Sequence, residues 1–534
     1  MNTGTRTRAD AVVIGAGPNG LVAAIALADA GWDVVVLEAQ PTPGGGVRSA
    51  EVTAPGFSTD LFSAFYPLAA ASPVIRGLRL EEHGLEWVHA PTVLAHALDD
   101  GRAAVLHRDP ALTAAGLDEF APGDGDAWLD LVAHWRRISG AVLDALFTPM
   151  PPLRPAARLA VQLRTAGLLR LARLGVTPVR RLGEELFRGE GGRLLLGGNA
   201  AHSDVPPDAA GSGVFGWLLA MLGQDVGFPV PRTGAGALAA ALTARARAAG
   251  AEVRCGVPVT GIQVTGGRAA GVRLADGTSV AVSRAVLADV PAPSLYRDLL
   301  PPASVPGRLL ADLEHFQWDN STLKVNWALD SPVPWTADGV RGAGTVHLGA
   351  DSDGLVDFAA DLSVGRRPRH PFVLFGQMTA ADPTRSPAGT ESAWAYTHLP
   401  RRLAGDAAEV ADHVERIQAA VERVAPGFGE TVIARHVQTP SDLQEENLSL
   451  VAGAVNGGTS ALHQQLVFRP TPGLGRPETP VPGLYLASAS AHPGGGVHGA
   501  CGWNAARAAL RASGRWGALH AGVVRAAWER VLRS

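Results

Sequence analysis

Residues 10–24 read Asp10-Ala-Val-Val-Ile-Gly15-Ala-Gly17-Pro18-Asn19-Gly20-Leu-Val-Ala-Ala. An apolar strand runs into three glycines at the spacing that opens a helix. The first glycine permits a tight turn, the second lets backbone approach a pyrophosphate, and the third lets helix and strand pack closely. The helix start then offers unpaired N–H groups and the positive end of its dipole to a phosphate. A second strand, Asp33-Val-Val-Val-Leu-Glu38, ends on a carboxylate about 20 residues downstream, where it can accept ribose hydroxyls. Strand, glycines, helix, strand and acid in that order predict a dinucleotide site. An ordinary turn between strand and helix has no use for Glu38.

The chain has 534 residues, more than one compact core holds, so at least two domains are expected. With 46% hydrophobic and 18% charged residues and a net charge of −4, it lacks the basic domain of a nucleic-acid binder. Cys255 and Cys501 are the only cysteines, so there is no disulfide framework and no CxxC metal or redox motif, and no metal is expected. Lys324 is the only lysine and does not follow a glycine, which excludes a Walker-type phosphate loop. The polar stretch after Met1 lacks the apolar core of a signal peptide, and no apolar run suits a membrane span, which predicts a cytoplasmic protein.

Three separated stretches have the pattern of one nucleotide-binding unit: 1–67, 230–295 and 479–534. In the first, Pro43-Gly44-Gly45-Gly46-Val47-Arg48 follows the Glu38 strand. This loop can lie along a cofactor with Arg48 pairing to its pyrophosphate; the plainer reading of Arg48 is a surface arginine. In the second, Gly234-Ala-Gly236 opens an alanine-rich helix, and a strand and a small meander follow, with turns at Gly266-Gly267 and Asp276-Gly277. In the third, the strand Gly483-Leu-Tyr-Leu-Ala487 meets His492-Pro-Gly-Gly-Gly496-Val497-His498-Gly499 and a helix. That is a second strand–glycine–helix junction. Residues 68–229 and 296–478 form an interleaved α+β substrate-binding unit. Within it, arginines recur between Asp144 and Glu184 with leucine and alanine between them and no acid. This stretch is read either as a helix with a solvated arginine face or as a helix lying on an anionic membrane surface.

These motifs resemble the phytoene desaturase-like FAD-dependent oxidoreductases, which include carotenoid desaturases, ketolases and related mitochondrial flavoproteins. The resemblance covers nearly the whole chain. It adds Pro55-Gly-Phe-Ser-Thr-Asp60-Leu-Phe-Ser-Ala-Phe-Tyr-Pro67 and Leu323-Lys324-Val-Asn326-Trp, and it is most specific at His492–Gly499. It implies a Rossmann-type domain assembled from three segments and FAD as the cofactor. Carried over by position, Gly15, Gly17, Pro18, Asn19 and Gly20 hold the pyrophosphate, and Glu38 and Ala39 lie at the adenosine ribose. Gly45, Gly46 and Arg48 lie near pyrophosphate and flavin, Val259 at the adenine, and Gly495, Gly496 and Val497 at the isoalloxazine. One departure stands at Ala487-Ser488-Ala489-Ser490, where many members carry a glycine-plus-polar pair. With no second GxGxxG and no paired cysteines, electrons are expected to pass to oxygen or a quinone.

Such chemistry needs few side chains, because the flavin accepts the hydride and the protein positions substrate and excludes water. The candidate catalytic groups are His492 and Lys324, with His498 as a lesser one. His492 precedes a proline and so ends a strand in extended form; its plainer role is to hydrogen-bond the glycine loop. Lys324 alternates with Leu323 and Val325, and if turned inward desolvation lowers its pKa into the range of a base; its plainer role is an edge lysine or an ion pair. The expected reaction is desaturation of an apolar, carotenoid- or isoprenoid-like substrate. The alternatives are a flavin oxidase of an amine or other small natural-product intermediate, a redox-neutral isomerase or saturase, or a flavin-loaded scaffold without turnover at a membrane.

Overall fold

The computed structural model describes residues 7–532. Seven of its strands build one sheet in the order Val259–Thr265, Arg268–Leu274, Ser279–Ala288, Arg8–Ile14, Val34–Leu37, Glu252–Arg254, with Leu484–Leu486 joined to the second half of Ser279–Ala288. The run from Leu484–Leu486 to Glu252–Arg254 is parallel throughout. Parallel strands covered on both faces read as unbroken apolar runs rather than alternations. Val34 to Leu37 fit that rule and are all buried. On one face Ala11, Val13, Val34, Val36, Leu287 and Tyr485 meet the helices Pro18–Asp29, Ala235–Ala248 and Ala500–Ser513. On the other, Val12, Ile14, Val35, Val286 and Leu486 meet the meander and the segment around Leu295–Leu313.

The two strand–glycine–helix junctions touch. A Cβ on Gly502 would collide with the Asn19 carbonyl oxygen. Only a missing side chain lets the helices Pro18–Asp29 and Ala500–Ser513 approach so closely at their starts.

A second seven-stranded sheet runs Val432–Gln438, Ser321–Leu329, Glu391–Leu399, Val373–Gln377, Ala343–Leu348, Thr92–Ala97, Ala103–Leu106. It is antiparallel except where Ala343–Leu348 lies parallel to Thr92–Ala97. Alternation sorts its residues by face. Leu323, Val325, Trp327, Ala393, Ala395, Val373, Phe375 and Val346 point one way, into a core closed by Val410, Val414, Ile417 and Val421 of the helix Ala407–Val424. The opposite face carries a cross-strand row of partners, Gln438, Lys324, Tyr396, Leu374, His347 and His96.

Two features differ from the sequence reading. The arginine-rich stretch is not one helix. The helix Asp124–Phe147 runs past Asp144, and Leu153–Leu174 is broken at Arg164, whose φ is +54°. A further helix, Val179–Leu186, follows. Pro149, Pro151 and Pro152 interrupt the first junction, since proline ends the hydrogen-bond ladder. Residues 68–85, placed by the sequence reading with the substrate-binding unit, give Ala69, Val74, Ile75, Leu78, Leu80 and Leu85 to the core beneath the first sheet, beside Tyr66. The helix Gly517–Leu532 packs on the body through Trp528, whose indole N–H donates to the Glu478 carbonyl at 3.2 Å, while Trp516, Leu519 and Val523 stay exposed.

Candidate active site

The first glycine junction is a cradle shaped by close approach. Gly15 has a φ of +95°, and a Cβ on it would lie 2.9 Å from the Asp289 carbonyl oxygen. A Cβ on Gly20 would strike the Gly15 carbonyl, and one on Gly45 would sit 3.0 Å from the Gly17 Cα. Gly17 is the N-cap of the helix Pro18–Asp29 and provides no capping side chain, so the positive helix end faces the cradle. The Pro18 Cδ lies 3.9 Å from where a Cβ on Gly45 would stand, and a Cβ on Gly46 would meet open space. Glu38 is buried at its strand end, with Oε2 accepting from the Ala16 N–H at 2.7 Å and Oε1 from the Gln40 N–H at 2.9 Å. Each oxygen keeps a lone pair for a ribose hydroxyl. Ala39 follows it, and the Val257 N–H donates to the Glu38 carbonyl at 2.8 Å, which brings the segment leading to Val259 alongside.

Arg48 leaves the glycine loop and is held from the far side of the chain. Its Nη2 donates to the Glu446 carbonyl at 2.6 Å, and its guanidinium lies 5.1 Å from the Phe62 ring centroid. Its Nε is buried with no partner, as is the Asn19 Oδ1. Buried polar atoms without partners are uncommon in folded proteins. At the second junction, a Cβ on Gly496 would meet Leu68 at 2.8 Å, and one on Gly495 would meet Asn456 at 2.9 Å. Val497 packs against the core beneath the first sheet. Arg469, fully buried, props this loop by donating to the carbonyls of Asn456, Thr459 and Ala489 at 2.7, 2.9 and 2.7 Å.

The two histidines of the loop are staples. His498 Nδ1 accepts from the Ala500 N–H at 3.0 Å, so Nε2 carries the proton and faces the Gly494 carbonyl at 3.3 Å. His492 Nε2 lies 3.1 Å from the Thr148 carbonyl. Burial lowers both rings to about 4. So weak a base takes up no second ring proton at neutral pH and has little pull on one. The His492 ring is thus engaged with Thr148, on the edge of the glycine loop, in place of the free projection that the sequence reading allows.

Lys324 is the opposite case. It is 2% exposed, and its Nζ donates to the carbonyls of Asp60 and Phe62. Those residues are tied to the glycine loop: the Leu61 N–H reaches the Arg48 carbonyl at 2.9 Å and Ser63 Oγ the Gly46 carbonyl at 2.7 Å. The ammonium also stands 5.4 Å from the Trp394 ring centroid. Desolvation lowers it to about 7, outweighing Asp60, which raises it. Around it stand Trp394 and Tyr396, stacked at 6.0 Å, and Phe65, 6.0 Å from Trp394. The nearby carboxylates are engaged. Asp60 pairs with Arg385 at 2.9 Å, both fully buried; Glu391 accepts from Thr379; Glu446 accepts from Gln438 at 3.0 Å.

Sequence reasoning missed three groups here, Asp289, which is partly buried, and the buried Arg385 and Arg469. Asp289 ends the strand Ser279–Ala288 as Glu38 ends Val34–Leu37, and Gly20 donates to its Oδ2 at 2.8 Å; the same strand-then-acid signal marks it. Arg385 and Arg469 carry no local signal, because their partners are distant in sequence.

The cradle, the buried Glu38 and the orphaned Arg48 and Asn19 atoms suit a dinucleotide. A model of the flavin containing amine oxidoreductase family matches residues 19–510. The chain is 30% identical to mouse (Mus musculus) pyridine nucleotide-disulfide oxidoreductase domain-containing protein 2, over 94% of this chain and 93% of that one. It is 24% identical to the neurosporene-forming phytoene desaturase of Rhodobacter capsulatus, over 93% of each. Among solved structures, a putrescine oxidase variant shares the fold with a TM-score of 0.60 at 18% identity, covering 95% of this chain and 100% of that one. The chain belongs to the flavin containing amine oxidoreductase family and is an FAD-dependent oxidoreductase.

Proposed function

We propose that the enzyme dehydrogenates a neutral, apolar substrate of isoprenoid or carotenoid type, making a new C=C bond. The observation that carries this reading is the buried Lys324 on an aromatic wall whose nearby carboxylates all have partners. A cationic amine would meet a lysine and no free acid there, and burying an unpaired charge is costly. The likeness to a phytoene desaturase supports the same substrate class.

FAD, held by Gly15 to Gly20, Glu38, Ala39, Gly45, Gly46, Arg48 and Gly495 to Val497 with Val259 at the adenine end, supplies a hydride acceptor. Lys324 handles the proton. A neutral lysine has two hydrogens, matched here by the two carbonyls of Asp60 and Phe62, and one lone pair left for a substrate C–H proton. Trp394, Tyr396 and Phe65 orient the substrate and exclude water. His492 and His498 fix the glycine loop. Oxygen or a quinone takes the electrons afterwards. Residues 1–67, 230–295 and 479–534 act as the cofactor unit, residues 68–85 pack beneath its sheet, and the rest act as the substrate unit.

A cytoplasmic protein drawing its substrate from lipid is part of the same reading. The helix Leu153–Leu174 exposes Leu153, Val161 and Leu169 among arginines, and among the described residues no helix is long and apolar enough to cross a membrane. The test is anaerobic bleaching of the flavin by an acyclic polyene in anionic liposomes, set beside primary amines. Bleaching by the polyene alone is expected; bleaching by the amine alone overturns the reading. Glutamate at Arg158, Arg164 and Arg170 together is expected to abolish co-sedimentation with those liposomes.

A further inference from the structure

Asp289 places a carboxyl group where a second anion has to go. Its Oδ2 accepts the Gly20 N–H at 2.8 Å. A Cβ on Gly17 would lie 3.0 Å from the same oxygen, and the Asp289 backbone closes on Gly15. The group therefore sits at the start of the helix Pro18–Asp29, inside the cradle. Among the described residues, the groups that act on it include no cation. Glu38 faces it from the Val34–Leu37 strand and raises its pKa. Cys501 faces it from the helix Ala500–Ser513, a buried thiol pushed up to about 12. The single Gly20 hydrogen bond favours the charged form, and burial outweighs it, raising the group to about 7.

We propose that Asp289 is a cofactor-binding residue that works as a neutral acid, so that FAD binding takes up one proton from solvent. As a carboxylate it would confront the pyrophosphate, which is itself negative, with a charge that no cation acting on Asp289 offsets. As a carboxylic acid it keeps one oxygen on the Gly20 N–H and turns its O–H toward a phosphate oxygen. The balance is simple: carboxylate, proton and FAD give the acid–FAD complex, with one O–H bond formed and nothing oxidised. This inference rests on the pyrophosphate lying over Gly15–Gly20, and the experiment separates the two.

The holoprotein is diluted across about pH 5.5 to 8.5, FAD release is read by flavin fluorescence, and proton release by an indicator dye in weak buffer. The dissociation constant is expected to be flat below about pH 7 and to rise about tenfold per pH unit above it, with about one proton released per FAD near pH 8. Asp289→Asn is expected to flatten the profile and to hold FAD about tenfold more tightly than the parent near pH 8. Glu38→Gln is expected to weaken binding at every pH and to keep the slope while moving its onset to lower pH, since Glu38 raises the Asp289 pKa. A flat parental profile with no proton release overturns the proposal. Should Asp289→Asn fail to unfold cooperatively on heating, the parental slope and proton count decide alone. Full FAD retention by Gly17→Glu would instead overturn the placement of the pyrophosphate.

Discussion

The two faces of the second sheet are made from the same strands and do different work. One face is Leu323, Val325, Trp327, Ala395, Phe375 and Val346 against the helix Ala407–Val424. The other carries Lys324, His398, His347 and His96, buried almost as deeply, and the half-buried Tyr396. The first face needs only shape and apolarity, and many combinations of similar volume satisfy that. The second face needs each polar atom matched, and it is left with unpaired ones: His96 Nδ1, His347 Nδ1 and both nitrogens of His398. The lesson is that a strand can devote alternate residues to stability and to chemistry at no cost in regularity.

The comparison breaks most visibly on the apolar face. Trp327, fully buried, stacks on Phe375 at 6.1 Å and meets Phe428 edge-on at 5.3 Å. Trp327→Ala is expected to lower unfolding stability by about 3–5 kcal/mol in urea titration, with flavin content per folded molecule unchanged. Trp327→Phe is expected to lose far less, since the indole N–H is buried without a partner.

On the polar face the expected sign reverses. Lys324→Met removes a desolvated amine, so stability is expected to hold or rise. The rate of flavin reduction is expected to fall about 10²–10⁴-fold, the range of general-base catalysis. In the parent that rate is expected to climb as pH passes about 7, where Lys324 loses its proton. The same shift bears on folding: between about 7 and 10.5 the unfolded chain binds the proton that the folded one refuses, so this lysine makes stability rise with pH across that window.

Next in size is acid sensitivity. Burial lowers His96 and His398 to about 4 and His202 to about 3. Below pH 6.5 the unfolded chain takes up protons that these rings refuse. Each then subtracts up to about 1.4 kcal/mol per pH unit as pH falls toward its folded value. Glu391, raised to about 7, acts in the opposite direction, stabilising as pH falls from about 7 to its unfolded value. His202, whose Nε2 lies 2.9 Å from that of His347, gives the cleanest probe. His202→Phe is expected to reduce the acid slope of stability by about one proton, read from urea titrations at several pH values. The smallest effect is expected at Ser392, whose hydroxyl donates to the Ser58 carbonyl at 3.0 Å: Ser392→Ala is expected to cost about 1 kcal/mol.

The sequence carried the first sheet well because its signals are local. The glycine spacing at Gly15–Gly20, the unbroken Val34–Leu37 run and the Asp276-Gly277 turn each work within a few residues. All lie in or between the elements that the structure shows. The polar face of the second sheet was legible only as a lysine in an alternating strand. What makes Lys324 unusual is set by Asp60, Phe62 and Trp394, and no residue near it in sequence announces them. Asp289 was readable in principle, since it follows an apolar strand as Glu38 does. His492 looked free because its acceptor, Thr148, comes from a segment that periodicity does not bring to the loop.

The last strand of the first sheet, Leu484–Leu486, seats beside Ser279–Ala288. A ribosome making roughly 5–20 residues per second therefore completes Glu38 on the order of 20–90 s before that strand exists. On the cofactor placement proposed above, the nascent polypeptide then has an adenosine-side grip and no flavin-side one. Chains that stall after the first half are thus expected to bind nucleotide weakly and to stay colourless.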